Sequence, residues 1–374
     1  MRFLTLYRRE ILITVFLAAT YFVTRLFFIL HLPIFTDEAI YIRWSQIAKQ
    51  DAAWRFISLT DGKQPMFVWI TMTLMKFVKD PLLAGRLTSV IAGFFSAIGL
   101  FFLGNALFKN KWVGFLSAAI YVLLPFTLVY DRMALYESLV CMFLIWGLYI
   151  TILMTKRLQL YLPFIAGLII GGGMLTKTTN FWSLYFMPFL LLLFDWRKEQ
   201  RWQRFFRWVC FAVLVTALAY TYYSILRLSP YFGIIAEKNY TFYYPLNEWL
   251  HHPLVFFSGN LQGMISWLVT YINWLSILLI VFSFFVQRKL WKEKILLILW
   301  FVVPFLIFAL IAKVLYPRYI LYMTVFLIPL ISLGVFESFR VWKQTVVGIC
   351  IIVFLFASYL YVDRFILFDF AHAP

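Results

Sequence analysis

Charge is scarce in this chain. Asp, Glu, Lys and Arg make up 13% of the 374 residues, where a soluble globular domain carries roughly 25%. The shortage runs from end to end, and apolar stretches near twenty residues recur throughout. That is the length needed to span about 30 Å of hydrocarbon. A soluble domain with one anchor is therefore excluded, and an all-α integral membrane protein is expected. Cysteine is also sparse: Cys141, Cys210 and Cys350 all lie inside apolar stretches and no CxxC occurs. Neither a disulfide framework nor a thiolate metal site is readable from them. No 20–50-residue repeat is visible.

What is present is apolar and basic. Hydrophobic residues account for 64% of the chain and the mean hydropathy is +0.88. The net charge of +17 would suggest nucleic acid in a soluble protein. Here Lys and Arg crowd into short loops between apolar stretches, which is a topology signal, and no nucleic-acid partner is expected. Arg2, Arg8 and Arg9 precede an apolar run beginning at Ile11. It is too long for a signal peptide and no small-residue cleavage site follows, so it reads as an uncleaved first span.

Eleven spans are expected, at about 11–30, 82–108, 112–129, 134–154, 159–175, 181–194, 208–226, 261–286, 295–312, 319–335 and 345–362. They form one transmembrane domain over 1–362, followed by a short outer tail at 363–374 with no soluble domain appended. Residues 65–78 are apolar but short, and Lys76, Lys79 and Asp80 crowd their end. If they stay on the surface, one set of loops holds 18 of the 33 basic residues and five of the 16 acids. If they span, the basic stretch Arg197–Arg207 changes sides, against the positive-inside bias. The expected arrangement is N-terminus in the cytoplasm and C-terminus out. Two large outer loops follow, 31–81 and 227–260. In the first, Asp37 to Lys49 reads as a helix lying in the interface, with Ala39, Ile40, Ile47 and Ala48 on one side.

The residues able to carry chemistry lie on the outer side. Asp37 and Glu38 are adjacent acids at the membrane edge. Thr36 or Asp37 could cap the following helix, or a carboxylate here could act as a general base or hold a cation. Asp131, in Tyr130-Asp131-Arg132-Met133, falls on the same face, either paired with Arg132 or facing a site. Lys63, Lys177 and Arg318 run against the charge bias, from three separate loops at one depth. Such cations either anchor the protein among lipid head groups or bind one anionic head group. The run Gly171-Gly172-Gly173 ending in Thr176-Lys177 is no phosphate loop, because Thr stands before the Lys and no strand precedes it. His251-His252 is a weak metal candidate. Tyr231, Phe232, Tyr240, Phe242, Tyr243 and Tyr244 form either an interfacial belt or a sugar platform. No span carries an ionisable residue near its middle: Arg25, Arg86 and Glu137 fall near outer ends. That weighs against an ion-coupled transporter.

These features together resemble the polytopic glycosyltransferases of the C-type fold that use polyprenyl-phosphate sugars, especially the protein O-mannosyltransferases and the aminoarabinose transferases of lipid A. The resemblance is carried by Asp37-Glu38 with Tyr41, and by Lys63-Gln64-Pro65 before an aromatic helix, with Gln64 where relatives have Pro. It continues through Arg86, Asp131, the Gly171–Lys177 run, and Arg318-Tyr319 before Pro329. It covers most of residues 1–335 in order. The resemblance implies inverting transfer of a sugar from a polyprenyl-phosphate donor to a hydroxyl acceptor on the outer face of the cell membrane. Asp37, Glu38 and Asp131 would be catalytic, with a divalent cation at Glu38 or Asp131 left open. Tyr41, Lys63, Arg86, Lys177, Arg318 and Tyr319 would bind substrate. Partners would be the lipid donor, a glycan, lipid or protein acceptor, and membrane lipids. The competing reading is a transporter or flippase of lipid-linked sugars, which would need access from both faces.

Overall fold

The computed structural model describes residues 8–251, 253–341 and 345–369. Arg2, His252 and Lys343 lie outside the described residues. Within them the chain is a bundle of helices, and the protein is integral to the membrane. Eight helices are long and apolar enough to cross: Arg8–His31, Pro81–Phe108, Tyr136–Arg157, Arg201–Leu228, Phe257–Phe285, Arg288–Ile311, Pro317–Arg340 and Gly348–Phe368. Lys111–Leu123 and Pro125–Asp131 form a bent pair, broken by 62°, that is either one broken span, making up to nine crossings among the described residues, or a re-entrant loop. Pro125 forces Leu124 into extended backbone, which ends the first half.

All eleven expected segments are helical, but not all are full spans. Tyr161–Met174 and Thr178–Leu193 are shorter apolar helices, the second largely 3-10. Hydropathy counts apolar residues and is blind to helix length, so eleven crossings are not confirmed. Met66–Leu74 has nine residues, roughly 14 Å of helix, too short to span. The segment 65–78 therefore does not cross by itself. At the far end Thr345–Arg364 continues as a π turn, Phe365–Asp369. The stretch expected as a tail from 363 thus begins as helix, and 370–374 lie outside the described residues.

Helix Thr36–Gln50 buries Glu38, Tyr41, Ile42, Ser45 and Ala48, a stripe at three- and four-residue spacing. Ile40, expected on the apolar side, is exposed. The buried stripe packs on Met66–Leu74 and Pro81–Phe108, so the helix belongs to the protein core as much as to the interface. Pro81–Phe108 starts cleanly because Asp80 accepts from the Leu82 and Leu83 amides at 2.8 and 3.0 Å and Pro81 opens its first turn. Near the far end, Phe257–Phe285 is kinked at Asn273, whose φ is 59°. The Asn273 side chain accepts from the Ser276 amide at 2.9 Å, capping the second half.

Candidate active site

Glu38 fixes the entry to helix Thr36–Gln50. Its carboxylate accepts from the Phe35 amide at 3.1 Å and the Ala134 amide at 2.6 Å. Arg86 donates to both its oxygens, at 3.0 and 3.1 Å, the bidentate pairing that a guanidinium fork favours. The same Arg86 also holds the Leu32 and Ile29 carbonyls. Both side chains are fully buried. This cluster ties the first loop to helix Pro81–Phe108, so neither Thr36 nor Asp37 is needed as a cap.

Asp37 is one residue along, about 100° around the helix, and points elsewhere. Its Oδ2 accepts from Arg318 Nη2 at 2.5 Å and lies 3.5 Å from the Tyr41 hydroxyl. Burial and the Asp37 charge push the Tyr41 phenol well above its ordinary pKa. Arg318 sits in the 3-10 turn Pro317–Ile320, among the rings of Phe35, Tyr316 and Tyr319 at 5.2, 5.3 and 5.5 Å. Its Nη1 and Nε are buried without a hydrogen-bond partner. Nε faces Glu137 Oε1 at 3.8 Å, and the same oxygen accepts from Lys177 Nζ at 2.9 Å. Lys177 also lies 4.9 Å from the centre of the Tyr319 ring.

Lys63 completes the cluster, 4.9 Å over the Phe242 ring. Burial, and then the neighbouring Lys177 charge, push its pKa down to about 8. The Lys63 turn docks on the Lys177 turn through a Met66 amide to Leu175 carbonyl bond of 3.0 Å and a Gln64 to Thr178 bond of 2.9 Å. Gly62 has φ +67°, and a Cβ there would meet Lys238 at 2.6 Å, so only glycine fits under helix Ile234–Phe242. That helix is strapped to the bundle: the Lys313 amide donates to Phe242 at 2.8 Å and the Tyr244 amide to Ile311 at 2.9 Å. One cavity is thereby lined by Lys63, Lys177, Arg318, Tyr319, Glu137 and Gln64, with Phe242 and Tyr243 as aromatic wall.

Lys63, Lys177, Arg318 and Tyr319 line this cavity, and Asp37, with Tyr41 behind it, reaches it through Arg318 without lining it. The structure places Glu38, Arg86 and Asp131 outside that cavity. Asp131 is wholly buried, accepting from Tyr21, Tyr121 and Ser138 at 3.1, 3.1 and 2.7 Å and lying 3.6 Å from Arg25. It is not paired with Arg132, which donates to the Phe27 carbonyl at 2.6 Å. Glu137 was the residue missed as part of the site. Its signal was present: three cations at one depth need a counter-charge, and Glu137 opens a helix at the same end of the bundle. Among the loop aromatics, Tyr231 and Phe232 pack against Leu59, Leu175 and Leu226, while Tyr244 stacks on Phe256 at 5.2 Å.

Among the described residues no three His, Cys, Asp or Glu side chains converge. Asp37, Glu38, Asp131 and Glu137 each already face an arginine or lysine.

Comparisons with known proteins agree with this architecture. Residues 62–224 match the family described as dolichyl-phosphate-mannose-protein mannosyltransferase. An undecaprenyl phosphate-alpha-4-amino-4-deoxy-L-arabinose arabinosyl transferase of Photorhabdus laumondii is 29% identical over 306 residues, 76% of this chain and 52% of that protein. The chain therefore spans about half the length of that relative. ArnT from Cupriavidus metallidurans, 15% identical in its apo structure, superposes with a TM-score of 0.66 over 93% of this chain and 64% of that one. It has also been solved bound to undecaprenyl phosphate, with a TM-score of 0.60 and 16% identity over the same shares. The oligosaccharyltransferase of Archaeoglobus fulgidus gives a TM-score of 0.65 at 12% identity, covering 97% of this chain and 56% of that one. This chain has the C-type glycosyltransferase fold that its sequence resemblance implied.

Proposed function

We propose that this protein is a membrane glycosyltransferase that moves a sugar from a polyprenyl-phosphate donor to a hydroxyl acceptor, inverting the anomeric carbon. The observation that carries this reading is the convergence of Lys63, Lys177 and Arg318 from three distant segments on one cavity that Asp37 borders. Interfacial anchors would face lipid one by one; here Lys177 and Arg318 share Glu137 and the Tyr319 ring, and Lys63 lies over the Phe242 ring in the same cavity. The similar proteins whose names specify dolichyl- or undecaprenyl-phosphate carriers support a prenyl-phosphate donor. Such a donor brings its own membrane anchor, so the bundle needs no nucleotide-binding domain.

In the proposed reaction the donor phosphate takes the unpartnered Nη1 of Arg318, with Lys63 and Lys177 beside it. Drawing the guanidinium toward phosphate loosens its hold on Asp37, which becomes a better base. The acceptor hydroxyl gives its proton to Asp37 as its oxygen bonds to the anomeric carbon. The bond from that carbon to the phosphate oxygen breaks on the opposite face, and polyprenyl phosphate leaves. The three cations stabilise the charge gathering on that leaving group, far more effectively in a water-poor cavity than in water. Tyr319 lines the cavity and Tyr41 backs Asp37. Glu38, Arg86 and Asp131 position helices and touch no substrate in this reading. The loop-charge bias supports a cytoplasmic N-terminus and a site on the non-cytoplasmic face of the cell membrane. The hydroxyl comes from a glycan, a lipid or a protein, and mass spectrometry of surface glycans with and without the gene identifies which.

The direct test supplies the full chain in lipid nanodiscs with a panel of polyprenyl-phosphate sugars and hydroxyl acceptors. Acceptor-dependent release of polyprenyl phosphate is expected. Movement of the intact lipid-linked sugar between leaflets of liposomes, without cleavage, would favour a flippase and sink the transferase reading.

A further inference from the structure

We infer that Glu137 sets the charge of the site so that it holds the singly charged donor and releases the doubly charged product. The inference rests on the proposed prenyl-phosphate transfer. Lys63, Lys177 and Arg318 face two carboxylates, Asp37 and Glu137, leaving one net positive charge. Lys238, which also lines the cavity, is neutralised by Asp61 at 2.5 Å. A phosphodiester donor carries one negative charge and matches that balance. The product is a phosphate monoester, whose second pKa near 6 gives it about −1.5 to −2 at neutral pH.

The balance changes during the reaction. While Asp37 holds the acceptor's proton, the site carries two positive charges and suits the dianion. Once that proton leaves to water, the site returns to one positive charge and the product is overcharged for it. Glu137 is what brings the count back to one. It is buried, its side chain 8% exposed, so water screens it poorly. A single carboxylate oxygen serves both Lys177 and Arg318, so its charge acts on two of the three phosphate ligands at once.

A spacer role for Glu137 makes a different prediction. If it only held Lys177 and Arg318 apart, its loss would weaken every phosphate ligand alike. The test titrates the full chain in nanodiscs with two probes, a short-chain prenyl monophosphate and the methyl phosphodiester of the same alcohol. In Glu137→Gln the monophosphate should bind on the order of tenfold tighter, with the diester changed much less. Turnover should become limited by product release. Lys177→Gln gives an independent arm that does not need the first variant to fold. There the site becomes neutral, and the monophosphate should be lost by a larger factor than the diester. Equal changes for the two probes in both variants would overturn the charge assignment and leave Glu137 a spacer. If the wild-type chain binds neither probe, the prenyl-phosphate reading fails first and this inference with it.

Discussion

Asp37 and Arg318 are 281 positions apart in the chain, yet their side chains meet at 2.5 Å. Asp37 belongs to the first turn of a helix near the start of the chain, and Arg318 to a 3-10 turn that opens a late span. Their contact joins the two halves of the cavity. It also leaves the carboxylate partly occupied in the donor-free state.

Asp37→Asn keeps size and hydrogen-bonding capacity but removes the base. Transfer should fall about 10²–10⁴-fold, the usual cost of losing general-base catalysis. Membrane insertion and thermal stability should change little. Normal turnover in the asparagine variant would mean that Asp37 serves only to hold Arg318.

Arg318→Lys retains charge and depth but loses the planar fork. If Arg318 reaches phosphate and Asp37 together, turnover should fall steeply, and Arg318→Ala should cost about 3–4 kcal/mol of transition-state stabilisation. Steady-state kinetics on purified variants decide this. Two variants as active as wild type would return Arg318 to the interfacial belt.

Lys63 gives the site a pH dependence. Its pKa is depressed to about 8 by burial and by Lys177, so it is charged at neutral pH and discharges as pH rises through that value. One phosphate ligand is then lost, and the donor KM should climb on the alkaline side. Lys63→Arg, charged at every accessible pH, should flatten that limb. An alkaline limb unchanged in the arginine variant would assign it to another group.

Arg86→Leu should be costly in stability. It would strand the Glu38 carboxylate in a fully buried position, and breaking such a pair typically costs about 3–5 kcal/mol. Thermal unfolding in detergent measures the loss. Glu38→Gln combined with Arg86→Gln should recover part of it, because no lone charge remains.

Orientation is tested with single cysteines in a background lacking Cys141, Cys210 and Cys350. An impermeant thiol reagent added outside should reach exposed position 60 and miss exposed positions 198 and 291. Reaction at 198 from outside would invert the topology. Position 131 is sealed and should react from neither side.

Much of this was readable from residues alone. Loop charge and apolar length identified the bundle and kept 65–78 from being a span. Lys63, Lys177 and Arg318 stood out because they oppose the charge bias. Asp131 shows the limit: the expected topology puts it on the same face as Asp37, but sidedness says nothing of burial, and its partners Tyr21, Tyr121 and Ser138 lie on three different helices. Glu137 was obscured by position, since an acid in a helix's first turn ordinarily answers the macrodipole. Ile40 is exposed because an apolar residue at the interface faces lipid as readily as protein.

The distance between Asp37 and Arg318 along the chain is also a distance in time. Glu38 meets its partner Arg86 after only 48 more residues, so that pair becomes possible early in synthesis. Asp37 waits for 281. At about 5–20 residues per second the wait is roughly 15–55 s. Until then the nascent protein holds a half-built cavity in the bilayer with its acid unanswered. A truncated translation product ending before Pro317 would therefore insert most of its helices and still lack a working centre.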